Sequence, residues 1–264
     1  MTLLIFQLAG AMAGFGEIAI GESRYTLDAP SHSNILGLMA AALGIRRDQE
    51  AALQSLQAGY RIAVVTLESG HLLRDYHTAQ VAGQSDLKHQ PLRTRQDELN
   101  VAKEKLNTIL STRDYRSDGH WLVVVEPLHE QAPYTLEQLC DALQRPKYTL
   151  FLGRKSCPLA QPTAAQVMTK QTVVSAAQAF LADLKQREAK LKHDKKAYRY
   201  PVRPKRIQQL CWDEAWTVHE IGVDRALFVA RQQDRLLSRQ RWQYGERLHY
   251  VATLNKPQIE QESA

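Results

Sequence analysis

Three short apolar runs constrain the fold of this chain most. Thr2-Leu3-Leu4-Ile5-Phe6-Gln7-Leu8, Tyr60–Leu67 around Ala63-Val64-Val65, and Trp121-Leu122-Val123-Val124-Val125 each read as a buried strand. Between the first two, Pro30-Ser31-His32-Ser33 precedes Asn34–Leu43, a run that is apolar nearly all round. Ser31 or Ser33 caps this helix, Gly44 ends it, and its lack of a polar face predicts burial against a sheet. A second short helix is expected from about Asp48 to Gln57, with Gly59 as its stop. The result is a strand–helix–strand unit. A second unit follows. Thr135 caps Leu136–Leu143, Pro146 stops that helix, and Tyr148–Leu152 reads as the next strand. Two such units predict an α+β fold, a ferredoxin-like split βαβ sandwich with helices on one sheet face and the other face free. The same architecture underlies the RNA-recognition motif, which binds RNA on its open face.

The rest of the chain departs from that pattern. Gly10, Gly14, Gly16 and Gly21 make a glycine-rich exit from the first strand, with neither a dinucleotide fingerprint nor a Walker lysine. Residues 78–109 are polar, with a helix expected near 97–107, and read as an excursion from the core. Residues 171–192 carry an apolar stripe of Val173, Val174, Ala177, Leu181 and Leu184. Between Arg187 and Arg206 there are nine Lys/Arg against two acids, and Pro201 and Pro204 break any continuous helix there. Arg225–Ala230 and Leu248–Leu254 read as strands flanking an arginine-rich turn, and a solvated tail starts near Lys256.

Charge and cysteine content bound the chemistry. The 264 residues carry 34 Lys+Arg against 28 Asp+Glu, a net +6 that points weakly to a polyanionic partner. Cys140, Cys157 and Cys211 are scattered and show no disulfide framework or metal spacing. The histidines form no zinc pattern, so no cofactor or metal is expected. No apolar run reaches the roughly 18–20 residues needed to cross a bilayer, and Leu3–Leu8 is too short for a signal-peptide core, so a soluble, cytoplasmic protein is expected.

For catalysis, Asp75-Tyr76-His77 is the one grouping of note. On a strand Asp75 and His77 share a face while Tyr76 points the other way. A metal-independent endoribonuclease using Tyr76, His77 and Lys155 is the alternative reading; a hydrogen-bonded structural junction is the plainer one. Cys157 beside Arg154 and Lys155 reads as a buried structural cysteine. Basic and aromatic residues interleave more tellingly, in Arg24-Tyr25, Arg113-x-Tyr115-Arg116, Lys147-Tyr148 and Phe151-x-Gly153-Arg154-Lys155. Guanidinium forks grip phosphates and aromatic rings stack on unpaired bases, a mixture that suits single-stranded RNA better than duplex DNA. Arg235 and Arg239, with Arg231, Arg241 and Arg247, form a second basic cluster.

These same residues resemble the Cas-five subunits of type I CRISPR surveillance complexes, the CasD-type subunit of the E subtype (Cascade) in particular. The likeness runs through Gly10-x-Met12-x-x-x-Gly16, Arg24, Pro30-Ser31-x-Ser33-x-x-x-Gly37-Leu38 and Leu43-Gly44-Ile45-x-Arg47-Asp48. It continues in Leu73-Arg74-Asp75-Tyr76-His77-Thr78, Arg113-Asp114-Tyr115-x-x-Asp118 and the long block from Pro146 to Leu159. The resemblance implies a ferredoxin-like (RRM-like, RAMP superfamily) palm of residues 1–77 and 113–162 with 225–254, a thumb at 78–112, a helical and basic insertion at 165–224, and a tail at 255–264. It implies a non-catalytic subunit that grips the 5′ handle of the guide RNA (crRNA) and caps the backbone. The partners implied are the backbone subunits and large subunit, with target DNA nearby. The matching handle contacts are Arg24, Arg113, Tyr148, Phe151, Arg154 and Lys155; Phe151 stands where relatives often have Tyr. Further contacts to RNA, DNA or a partner are expected from Lys195, Lys196, Arg203, Lys205, Arg206, Arg235 and Arg239.

Overall fold

A computed structural model describes residues 1–16, 19, 21–88, 92–129, 132–191 and 206–254. In chain order the elements are β1 (Thr2–Ala13), β2 (Ser23–Arg24), α1 (His32–Leu43), α2 (Glu50–Gly59), β3 (Tyr60–Glu68) and β4 (His71–Ala82). There follow α3 (Arg95–Leu99), a 3-10 turn at Lys103–Lys105, β5 (Leu106–Pro127), α4 (Leu136–Gln144), β6 (Gln166–Thr169) and α5 (Val173–Leu191). The chain closes with β7 (Gln209–Asp213), α6 (Val218–Ile221), β8 (Phe228–Ser238) and β9 (Gln243–Thr253). One mixed but mainly antiparallel sheet runs β6-β1-β5-β3-β7-β9-β8, with β2 and β4 both paired to β5.

The strands at the sheet's centre are apolar on both sides because both sides are covered. On β1, Leu4, Phe6 and Leu8 face one layer, while Leu3 and Ile5 face the other. On β5, Val123 and Val125 alternate in the same way with Leu122 and Val124. The first layer holds α1, α2 and α4, with Ile35, Met39, Leu56 and Leu139 in its core. The second layer is α5, whose Val173, Ala176, Ala177 and Phe180 pack with Trp212 and Val65. The sheet face expected to be free is therefore closed, at about 1.5–3 kcal/mol for each large side chain removed from water. The apolar stripe expected on α5 is present, and it covers the sheet face expected to be free.

Ser31 is the N-cap of α1, accepting from Asn34 N–H at 3.3 Å in a capping box, and Gly44 ends it in the left-handed region at φ 80. The strand expected at Tyr148–Leu152 does not form. Lys147 and Tyr148 instead donate their backbone N–H groups to Ala42 and Ala41 at the end of α1, at 3.0 and 3.2 Å. Only an isolated bridge, Phe151 with Pro158, remains there, and the strand that completes the second unit is β6. The 165–224 stretch is more than a helical and basic insertion, since it supplies β6 to β1 and β7 to β3. Its basic run at 192–205 lies outside the described residues. The excursion is a hairpin: β4 pairs with β5 from His71–Ser117 to Ala82–Leu106, with α3 near its far end where a longer helix was expected. The C-terminal strands are longer than read, and the β8–β9 hairpin docks onto α1. There the buried Asp234 carboxylate accepts the His32 N–H at 2.8 Å and a two-point bond from Arg247 at 2.9 and 2.8 Å.

Candidate nucleic-acid interface

The glycine-rich exit of β1 and the 146–159 block, distant in sequence, fold against one another. Gly14 N–H donates to Leu152 O at 2.9 Å, and Ala160 N–H to Ala9 O at 2.8 Å. The turn is closed by Leu152 N–H to Cys157 O at 2.7 Å and Cys157 N–H to Arg154 O at 2.9 Å. Phe15 leaves the exit and enters the core edge-on to Trp121, centroids 5.0 Å apart. Cys157 is buried, and burial pushes its thiol pKa up, against any nucleophilic role.

Arg154 fastens this junction. Its Nη1 donates to Asp114 O at 2.8 Å, its Nη2 to Arg24 O at 3.0 Å, and its guanidinium lies 4.6 Å from the Tyr115 ring centroid. Its stem lies along Gly14, where a Cβ would come within 3.1 Å of Cδ. Arg24 and Arg113 are partners across the short parallel β2–β5 ladder, and both are exposed. Beside them Arg74 grips the buried Asp114 through two bonds of 2.8 and 3.0 Å. The Arg74 guanidinium holds the Asp114 carboxyl below the usual carboxylate range. Three cations, Arg24, Arg113 and Arg154, thus meet at one sheet edge, two of them open to solvent.

The other predicted residues separate from this cluster. Lys155 is exposed on the 151–158 turn. Tyr148 lines a cavity along α1, and Phe151 a neighbouring one, both of which also touch Arg239. Arg235 and Arg206 are exposed elsewhere. Lys195, Lys196, Arg203 and Lys205 lie outside the described residues. The second basic cluster is thinner than its sequence suggests, because Arg247 is buried against Asp234 and Arg231 pairs with Glu246 at 3.3 Å. Reading the sequence missed Trp242 and Tyr244. Their signal was an aromatic pair set among Arg239, Arg241 and Arg247 in the arginine-rich turn.

The sequence profile of the family described as "CRISPR-associated protein (Cas_Cas5)" matches residues 3–250. The chain belongs to this Cas-five family. Among curated relatives, the CRISPR system Cascade subunit CasD of Escherichia coli (strain K12) is 35% identical over 161 residues, 61% of this chain and 69% of the relative. A solved chain described as a CRISPR RNA-guided surveillance complex superposes with a TM-score of 0.61 at 23% identity, over 95% of this chain and 89% of that one. A second, described as a crystal structure of a Cas protein, gives 0.56 at 21% identity, over 96% and 95%. Both share the fold. The profile spans the β8–β9 hairpin as well as β1, so the Cas-five match takes in both the arginine cluster and the α1 groove.

Proposed function

We propose that this chain is a non-catalytic crRNA-binding subunit of a CRISPR surveillance (Cascade) complex, gripping the 5′ handle of the guide and capping the backbone in support of guide-directed DNA recognition. One observation carries the reading. The two sequence blocks that bear the family resemblance fold onto each other and set Arg24 and Arg113 side by side at the surface, with Arg154 locking the junction and Lys155 beside it. Exposed guanidiniums beside the exposed Tyr25 ring suit the phosphates and bases of a single strand.

The architecture supports the palm and thumb assignment. The order β6-β1-β5-β3, with α1 and α2 between β1 and β3 and α4 between β5 and β6, supports the reading as a split βαβ sandwich. The thumb is the β4–β5 hairpin beyond residue 77. The hairpin exposes Leu72, Tyr76 and Leu110 on one face and Leu73 and Ile109 on the other, apolar side chains suited to a neighbouring protein subunit. Among the described residues no helix is long and apolar enough to cross a membrane.

The test is binding of labelled handle RNA by fluorescence anisotropy at rising salt. Affinity falls with salt, and Arg113→Ala weakens it by roughly 1–3 kcal/mol. Equal affinity of wild type and variant overturns the reading.

A further inference from the structure

The arginine-rich tip of the β8–β9 hairpin does not lie free in solvent. It stands over α1 and forms one wall of an open groove of about 770 Å³. The floor is Gly37, Ala40 and Ala41 of α1, and Tyr148 and Trp242 belong to its walls. Arg47 and Arg239 complete the rim. The volume falls in the usual range of small-ligand sites, roughly 300–1,000 Å³. The floor residues are small, and a Cβ built on Gly37 would meet nothing within 4 Å, so a flat group can approach the helix backbone there.

Trp242 is the unusual member. Its backbone is left-handed at φ 54, a conformation that L residues with bulky side chains avoid, and the residue is 59% exposed. Burial does not compensate the strain, which marks the position for a role beyond folding. The Arg239 guanidinium lies 4.1 Å from the Trp242 ring centroid and that of Arg47 5.2 Å. Arg239 is further held by donating to the Tyr244 hydroxyl at 2.5 Å and by its own N–H bonded to Glu50 at 2.9 Å. Neighbouring Arg46 is neutralised by Asp48 at 3.2 Å, whereas among the described residues no carboxylate forms an ion pair with Arg47 or Arg239. The indole therefore gathers two guanidiniums without an ion pair at the mouth of a groove floored by small apolar residues, with the Asp48 carboxylate also on its lining.

We infer that this groove is a subsite for one unpaired nucleotide, its base laid against Trp242 and the α1 floor and its phosphate held by Arg47 and Arg239. The inference rests on the RNA-binding reading above and adds a place, away from the Arg24–Arg113 cluster, where a single residue of the strand is seated. Paired guanidiniums suit a phosphate, and base–aromatic stacking supplies an affinity that tolerates any base. An acidic peptide would satisfy the guanidiniums but would leave the rings and the small-residue floor without a purpose.

The four tryptophans make the test direct. Trp121, Trp212 and Trp216 are buried at 4% exposure or less, so Trp242 alone answers to a solvent quencher. The full chain is titrated with a fluorescein-labelled, unstructured single-stranded RNA, following anisotropy on one sample and acrylamide quenching of tryptophan on another. The expected result is protection of Trp242 that saturates with the anisotropy curve. Protection vanishes in Trp242→Phe, which lacks the quenchable ring, and Arg47→Ala/Arg239→Ala lowers affinity about tenfold. Saturating anisotropy with unchanged quenching overturns the subsite and leaves the RNA-binding reading standing. Absence of any anisotropy change overturns both. Protection by an oligoglutamate peptide but not by RNA also overturns the inference, and reassigns the groove to an acidic protein segment.

Discussion

Gly153 and Gly14 are packed so closely that a Cβ on Gly153 would lie 2.2 Å from the Gly14 carbonyl oxygen, with Gly153 at φ 81. The junction between the β1 exit and the 151–158 turn tolerates no side chain on that residue. Gly153→Ala combines a left-handed backbone with a backbone clash and should lower stability by about 2–4 kcal/mol, read from urea unfolding midpoints. A loss under about 0.5 kcal/mol would show that the two segments separate easily.

Arg154 and Arg113 should fail in different ways. Arg154 bonds two carbonyls and a ring, so Arg154→Ala removes internal ties and costs roughly 1–3 kcal/mol of stability along with RNA affinity. Arg113 is exposed, so Arg113→Ala should change the melting temperature little while weakening RNA binding. Parallel melts and binding curves separate the two, and an unchanged melt for Arg154→Ala would contradict its assignment as the fastener.

Much of this was legible from the chain alone, for reasons that differ residue by residue. Leu3–Leu8 and Trp121–Val125 announce themselves because strands buried on both faces read as unbroken apolar runs. Ser31 and Gly44 were readable because capping is local chemistry. Tyr148–Leu152 resembles a strand in composition, yet its first N–H, that of Tyr148, goes to the Ala41 carbonyl of α1, a tertiary bond that no local pattern reveals. Gln166–Thr169 and Gln209–Asp213 escaped because four or five mixed residues carry almost no periodicity. Arg24, Arg113 and Arg154 were named individually; their convergence depends on β2 joining β5 and on the Gly14–Gly153 contact. Trp242 was missed because its left-handed backbone and its two guanidinium neighbours are set only by the docked hairpin.

Phe180 tests the closed sheet face. It is fully buried between α5 and the sheet, so Phe180→Ala should destabilise the fold by about 3–5 kcal/mol. Urea unfolding measures it. A cost below about 1 kcal/mol would mean that α5 does not rest on that face in solution.

A buried pair predicts an unusual response to acid. Burial, reinforced by Arg247, depresses the pKa of His32 to about 4, while burial pushes that of Asp213, 3.7 Å from His32 Nε2, up to about 6. As pH falls from 6.5 to 4, unfolded His32 takes up a proton that the folded chain refuses, and stability drops. Over pH 6 to 4, folded Asp213 is protonated before its unfolded counterpart, and stability rises. The two slopes oppose each other. Asp213→Asn should therefore lose stability more steeply than wild type between pH 6 and 4, and His32→Gln less steeply. Identical slopes in thermal melts of all three proteins would refute the offset.

Labelled repeat RNA incubated with the pure chain in EDTA should remain intact. Tyr76 and His77 are adjacent on β4, so their side chains leave opposite faces of the hairpin and do not converge on one phosphate. Cleavage that Tyr76→Phe or His77→Ala abolishes would transfer the protein to the endoribonucleases.

The length of β5 has a mechanical meaning. Its 22 residues span roughly 70 Å and run as one strand from the hairpin tip into the middle of the core. Asp118, at φ 59, interrupts the extended backbone where the paired ribbon meets the sheet, and Gly119 and His120 just beyond it are in register with Gly10 and Ala9. The hairpin is thus a lever rather than a hinged flap. Whatever takes hold of its far end exerts torque about a fulcrum at residues 117–119, and the first structure to receive that load is the start of the glycine exit.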